Sequence, residues 1–541
     1  MARAATLPRH VRAAPDTRHA RHSLGANALW MFGGQLITWG LTTVTLALLP
    51  RYLGPEQFGQ LGIGVSFSNL AVTFGGLGIG TYVTREIARD RSRSREVLAT
   101  AFWLSLLLGT VAAALAVGTG LALGYSRWTM IAIAANAAGV PFSLLLVLAY
   151  GALQGAEIMR YQALLDVGNK LYVLVTLVAI AVLDLGFGVY LAVSWGSAFF
   201  CAIACLAILR QTLGFAPLGA SFRLGARMVV ESIPFASVGI FVVAYLAADQ
   251  IMLSKLAGEH AVGIYRTPSQ IFGTLLFAPT VLTTVIFPRL AATGPGQPAE
   301  FARLTRFTLA AVLAMLLPVA VLCATVGGDG LRFLVGDEYA ESGAVMALLG
   351  FALIPTGVNM VVQRVLNAAD RQWMWTWVMA AALVVKVAIN AALIPLFDHL
   401  FGNPALGAAA GLILVEAAMA AVAFRLLPVR VFTRPALLAV GKIVLAGLLA
   451  AVAIWVASGR GWVVAGMAGA SVYVAAAWLL RAYTLAQIAE ARGWLGSRSQ
   501  AESPPDPERS LGDGWSPPLP LAKASARMKG PRDAAGARPR A

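Results

Sequence analysis

Stretches of about 20 predominantly apolar residues follow one another along most of the chain, and no other feature limits its folding so severely. A run of that length crosses a hydrocarbon core about 30 Å thick as a helix. Within hydrocarbon every backbone N–H and C=O must be bonded inside the protein, so a lone segment has to be helical. The runs lie near 25–49, 57–83, 97–123, 128–152, 163–183, 187–209, 232–253, 262–288, 304–326, 342–366, 372–396, 404–427, 434–457 and 461–481. A water-soluble core is excluded, because 59% of the 541 residues are hydrophobic and only 12% are charged. The expectation is an all-α polytopic membrane protein with about 14 transmembrane helices.

The runs are related to one another. Leu53-Gly54-Pro55-Glu56-Gln57-Phe58-Gly59 joins the first to the second, and Leu256-Ala257-Gly258-Glu259-His260-Ala261-Val262-Gly263 joins the seventh to the eighth. The Leu and the Glu each recur 203 residues on (256 − 53, 259 − 56). Leu153-Gln154-Gly155-Ala156-Glu157 returns as Leu366-Asn367-Ala368-Ala369-Asp370 after 213 residues (366 − 153). A span with its loop takes about 30–35 residues, so the interval holds six spans. The drift between the two spacings fits an enlarged connection from Gly327 to Glu341. The organisation expected is a basic arm over 1–22, a first six-helix lobe over 23–210, a linker over 211–231 lying along the membrane surface, a second lobe over 232–427, two additional helices over 428–481 and a disordered tail over 482–541. The two lobes are pseudo-symmetric, and duplicated halves of this kind enclose a substrate path between them.

Orientation follows from Arg and Lys, which keep their connections cytoplasmic. The N-terminal arm holds Arg3, Arg9, Arg12, Arg18 and Arg21, and the connection after span two holds Arg85, Arg89, Arg91, Arg93 and Arg95. Later even-numbered connections continue the pattern with Arg210, Arg289 and Arg425, whereas odd-numbered ones carry about one Arg each, such as Arg51 and Arg127. Both termini are therefore expected in the cytoplasm, beside an inner cell membrane. The formal charge of +16 sits on membrane-flanking segments where topology accounts for it, so no nucleic-acid partner is expected.

Catalytic frames are missing from the sequence. Cys201, Cys205 and Cys323 lie inside apolar runs and read as packing residues. Three of the five His stand in the N-terminal arm, and none pairs with Cys or Glu at ligand spacing, so neither a metal nor a cofactor is expected. A Gly-rich phosphate loop ending in Lys-Ser or Lys-Thr is not found either. A membrane glycosyltransferase or polymerase, the enzyme-class alternative, would have to use the acidic connection with Asp329, Asp337, Glu338 and Glu341.

The costly residues are those at membrane depth, where an ionisable group costs roughly 3 kcal/mol or more unless paired or hydrated. Asp249, Arg364, Lys386 and Glu416 all fall within spans of the second half and are the substrate-cavity candidates. Lys386 and Glu416 differ in depth by about 6 Å at 1.5 Å per residue, which predicts that they face each other. Weaker candidates are Lys170, Gln35, Asn69, Asn359 and Asn390, each with a plain alternative: helix–helix hydrogen bonds for the amides and an (i, i+4) pair with Asp166 for Lys170. Pro141, Pro234, Pro279, Pro318 and Pro355 each remove a backbone donor and bend their spans. Trp373, Trp375 and Trp377 read as an interfacial belt.

Several of these segments resemble a known family. Arg51-Tyr52-Leu53-Gly54-Pro55-Glu56-Gln57-Phe58-Gly59, Gly76-Leu77-Gly78-Ile79-Gly80 and Arg85-Glu86-Ile87-Ala88 are similar to the signature of polysaccharide-biosynthesis flippases in the multidrug/oligosaccharidyl-lipid/polysaccharide (MOP) exporter superfamily. Asp249-Gln250-Ile251-Met252-Leu253, Val262-Gly263-Ile264-Tyr265 and Val335-Gly336-Asp337-Glu338-Tyr339 extend the resemblance, which covers residues 23–481. It implies transport of a lipid-linked oligosaccharide, usually on undecaprenyl pyrophosphate, to the outer leaflet by alternating access. It also implies cationic side chains for the pyrophosphate, a role that would fall to Lys386 here. The partners implied are the lipid-linked glycan, membrane lipids, and the polymerase and other assembly proteins. The coupling ion, H+ or Na+, stays open, as does the alternative of a cation-coupled multidrug exporter of the same superfamily.

Overall fold

A computed structural model describes residues 17–429 and 431–480, and the regular elements among them are all helices. Most of the basic arm, Arg430 and the tail from 481 onward lie outside the described residues. The first helix, α1 (Thr17–Gly76), covers span one and span two as far as Gly76, and Gly54 interrupts it at φ 70°, ψ 170°. Thirteen described segments are long and apolar enough to cross a membrane, the first counted as one stretch of 44 residues. At 1.5 Å per residue that stretch is about twice the hydrocarbon thickness, so it is two crossings parted at Gly54 and the total is the expected fourteen.

The first lobe continues with α2 (Ile79–Arg89), α3 (Ser94–Ala122), α4 (Arg127–Ala138), α5 (Val140–Gly155), α6 (Met159–Val182), α7 (Gly186–Ser194) and α8 (Gly196–Leu213). The second contains α9 (Phe222–Leu256), α10 (Gly258–Leu275), α11 (Phe277–Thr293), α12 (Pro298–Thr325), α13 (Gly327–Val335), α14 (Ser342–Ala368), α15 (Gln372–Phe401) and α16 (Pro404–Leu426). Spans four, six and eight are each two helices, broken at Gly139, Trp195 and Leu276. Pro141 follows the first break and sits in the opening turn of α5, where its missing N–H has no helical acceptor to lose. Pro318 and Pro355, by contrast, lie inside continuous helices.

Backbone geometry carries the duplication further than residue identity does. Gly54 and Gly258 both hold positive φ (70° and 86°) at the turn between paired spans, a conformation glycine adopts without steric penalty. Glu157 and Asp370, matched at a spacing of 213 (370 − 157), are also left-handed, with φ of 61° and 57°. Positive φ is uncommon for non-glycine residues, so its recurrence at equivalent loop positions marks the same turn built twice.

The first lobe has an interior of its own. Tyr82, Leu98, Leu148 and Leu153 pack there with Cys205, and the cluster also takes in Phe215 from the linker and Leu224 and Met228 from the first turns of α9. The linker is tied there by the amide of Ser221, which donates to Thr100 Oγ1 (3.1 Å), and by Trp103 Nε1, which donates to the carbonyl of Pro217 (2.8 Å). Leu218 and Phe222 stay 82% and 92% exposed. α17 (Arg434–Ala457) and α18 (Trp462–Leu479) lie against α12, where Tyr473 donates its hydroxyl to the carbonyl of Ala314 (2.9 Å). Small buried residues there, Ala446, Gly447, Ala450 and Gly469, let the helices approach closely, as membrane helices require. The interfacial belt needs one correction: Trp373 and Trp377 are exposed, but Trp375 is buried and belongs to the packing of α15.

Candidate functional site

Buried ionisable side chains gather in the second lobe where α9, α10, α14, α15 and α16 meet. On α15, Lys386 and Asn390 are four residues apart and so share a face. On α9, Tyr245 and Asp249 have the same spacing and the two faces meet. Lys386 is 0% exposed and its Nζ lies 2.9 Å from Asp249 Oδ2. The ammonium also donates to the carbonyl of Tyr245 (2.9 Å) and stands 3.7 Å from the centre of that ring. Asp249 accepts further hydrogen bonds from the Tyr265 hydroxyl on α10 (2.7 Å) and from Asn390 Nδ2 (2.8 Å).

Glu416 on α16 forms the second half of the cluster. Its carboxylate accepts from the Tyr245 hydroxyl (2.9 Å) and from Asn359 Nδ2 on α14 (2.8 Å), whose amide also reaches the Glu416 carbonyl (2.9 Å). Tyr245 therefore links the two carboxylates, with Lys386 over its ring and Glu416 on its hydroxyl. The cluster holds two carboxylates and one ammonium, which pairs with Asp249 alone. Among the described residues, the side-chain oxygens of Asn359 and Asn390 are buried acceptors with no hydrogen-bond partner.

The expected pairing of Lys386 with Glu416 is thus corrected to Lys386 with Asp249. Depth was readable by counting residues, but rotation about the helix axis was not, because these spans are apolar on every side. Asp249, Asn359 and Asn390 do join the cluster. Arg364 does not: it is half-buried about 7.5 Å further along α14 from Asn359, with its guanidinium 5.8 Å from the Phe287 ring. Gln35, Asn69 and Lys170 are exposed and stand outside the cluster, and Asp166 accepts from the Tyr150 hydroxyl (2.7 Å) where a pair with Lys170 was expected.

Tyr245, Tyr265 and Arg266 were not singled out by the sequence. α10 begins at Gly258, so Arg266 stands two turns inside the helix, and it is 6% exposed. Its guanidinium stacks on Phe58 of the first lobe (4.9 Å), and Nη1 reaches Gln250 Oε1 (3.4 Å), which also accepts from Ser66 (3.1 Å). Arg266 Nε is buried without an acceptor, and no described carboxylate pairs with the group.

Solved structures share this architecture. The lipid II flippase MurJ in an inward closed conformation superposes with a TM-score of 0.65 at 11% identity, covering 84% of this chain and 98% of that one. An inward-facing multidrug resistance MATE family transporter of the MOP superfamily gives 0.58 at 17% identity, covering 71% and 93%. No curated protein matches the chain significantly. The fold is that of the MOP-superfamily flippases and exporters, a class of multi-pass membrane transporters. The family model described as polysaccharide biosynthesis protein matches residues 24–293 of this chain.

Proposed function

We propose that this protein carries a lipid-linked oligosaccharide, on an undecaprenyl pyrophosphate carrier, from the cytoplasmic to the outer leaflet by alternating access of its two lobes. The observation that carries the substrate class is Arg266, a buried guanidinium between the lobes whose Nε has no acceptor and which has no carboxylate partner among the described residues. A guanidinium presents planar, paired donors that match phosphate oxygens, and inside a poorly screened protein it would compensate the charge of a pyrophosphate headgroup. Lys386 is occupied by Asp249, so Arg266 is the better placed cation for the headgroup. The even-numbered connections, rich in Arg, face the cytoplasm, as do both termini.

The polar cluster serves the cycle in this reading. With two carboxylates against one ammonium, a proton on Glu416, or a small cation held by Glu416 beside Asn359, would neutralise the site. Coupling to H+ or Na+ would then act through the packing of α9, α15 and α16. The test is genetic and chemical together. Cells lacking the gene should accumulate cytoplasmic-leaflet lipid-linked oligosaccharide and lose surface glycan. Arg266→Ala should fail to restore it at normal abundance, and Arg266→Lys should restore part. Full restoration by Arg266→Ala would remove the headgroup assignment.

A further inference from the structure

The two turn motifs do more than mark a duplication, because each is held by the opposite lobe in the same way. At the face of the odd-numbered connections, Lys255 of the second lobe donates to the carbonyl of Leu123 in the α3–α4 connection (2.7 Å). Arg51 of the first lobe donates to the carbonyl of Phe333, in the α12–α14 connection of the second. Tyr125 and Ser254 share a hydroxyl–hydroxyl hydrogen bond (2.8 Å), and Tyr339 donates to the carbonyl of Pro50 (3.2 Å). The partners correspond: 255 − 51 and 254 − 50 are both 204, and Tyr339 follows Tyr125 by 214, within a residue of the repeat spacings. The contacts are therefore two copies of one tie, related by the pseudo-twofold of the lobes.

Between the two ties the helices touch backbone to backbone. A methyl group at Gly59 would overlap the carbonyl oxygen of Glu259, and one at Gly263 would overlap the carbonyl oxygen of Pro55. Glu259 also accepts from Ser126 (2.9 Å) and Thr129 (2.8 Å) of the first lobe. We infer that this reciprocal clasp is the gate on the odd-connection face, closed in this structure, and that its symmetric polar ties let it open and reclose as a unit. Carbonyl acceptors suit such a device, since on opening water replaces each bond at small net cost. Glycine at 59 and 263 is required for the closed form only. The inference deepens the transport reading and rests on it for the sense of the cycle, but its test measures lobe separation with no substrate present.

The experiment is pulsed electron spin resonance on the full chain in lipid nanodiscs, with spin labels at exposed positions. One pair, Arg127→Cys with Asp337→Cys, reports the clasp face; the other, Ser92→Cys with Gln297→Cys, reports the opposite face. The native Cys201, Cys205 and Cys323 are buried. Gly59→Ala and Gly263→Ala should each move the population to longer distances at the clasp face and shorter ones at the opposite face. Tyr125→Phe/Tyr339→Phe, which removes two hydroxyls and no volume, should shift the closed-to-open ratio the same way by about fivefold per hydroxyl. Unchanged distances at the clasp face in the tyrosine variant would overturn the inference. So would broadening at both faces together, which would mean that the contacts only hold the lobes' packing.

Discussion

Replacing Lys386 by Met removes the ammonium 2.9 Å from Asp249 Oδ2 while nearly conserving side-chain length and volume. Asp249 would keep the Tyr265 hydroxyl and Asn390 but lose its only described cation. Removing one partner of a buried ion pair costs about 3–5 kcal/mol, which lowers the folded-to-unfolded ratio by roughly two to four powers of ten. Asp249→Asn leaves the converse defect, an ammonium with one carbonyl and an aromatic face. The double variant Lys386→Met/Asp249→Asn has no unpaired charge at this point and keeps neutral hydrogen bonds from Tyr265 and Asn390. It should therefore be more stable than the sum of the single losses by about 2 kcal/mol or more. Denaturant-induced unfolding in detergent, followed by tryptophan fluorescence, measures all four corners of the cycle. Single losses that add to within about 0.5 kcal/mol would refute the pair as an energetic unit.

Three further outcomes are expected. Glu416→Gln keeps an acceptor for Tyr245 and should preserve abundance while removing the dependence of transport rate on external pH or Na+; a rate that keeps its dependence would place coupling elsewhere. Arg227 and Arg85 bond to Glu231 (2.6 and 2.5 Å) and hold its carboxyl below the usual carboxylate range. A depressed folded-state pKa gives stabilisation that is present above the unfolded value, about 4.3, and lost as pH falls; hydrogen exchange in 222–231, corrected for intrinsic rate, should hold steady from pH 8 to 5 and quicken only below about 4. Cysteine at Ser92 should resist impermeant thiol reagents in intact cells and cysteine at Gly459 should react, since Arg-rich connections stay inside.

The membrane fold was legible in the sequence because hydrocarbon leaves so little choice: apolar length alone gave the fourteen crossings, and the recurrence of Leu53 and Glu56 at Leu256 and Glu259 gave the two lobes. What a span presents on each face was not legible. Lys386 and Asn390 are surrounded by Val, Ala, Leu and Ile on every side of their helix, so no amphipathic stripe records that α15 turns them toward Asp249 on α9. Tyr245 and Tyr265 were hidden for a related reason, since a membrane tyrosine reads as an interfacial or packing residue until its hydroxyl is seen to reach a carboxylate. Arg266 is buried because α10 begins at Gly258, two turns before it. The reciprocal ties at Arg51 and Lys255 were invisible because they end on backbone carbonyls, which every residue possesses.

The central claim is translocation of a lipid-linked glycan, and reconstitution tests it most directly. Purified protein in proteoliposomes, loaded on one leaflet with a fluorescent undecaprenyl-pyrophosphate oligosaccharide, should make the glycan accessible to an impermeant quencher on the other leaflet. The rate should exceed that of protein-free vesicles and fall to the protein-free level with Arg266→Ala. A wild-type rate equal to that of protein-free vesicles, together with gradient-driven uptake of small organic cations, would contradict the account and identify a drug exporter on the same fold.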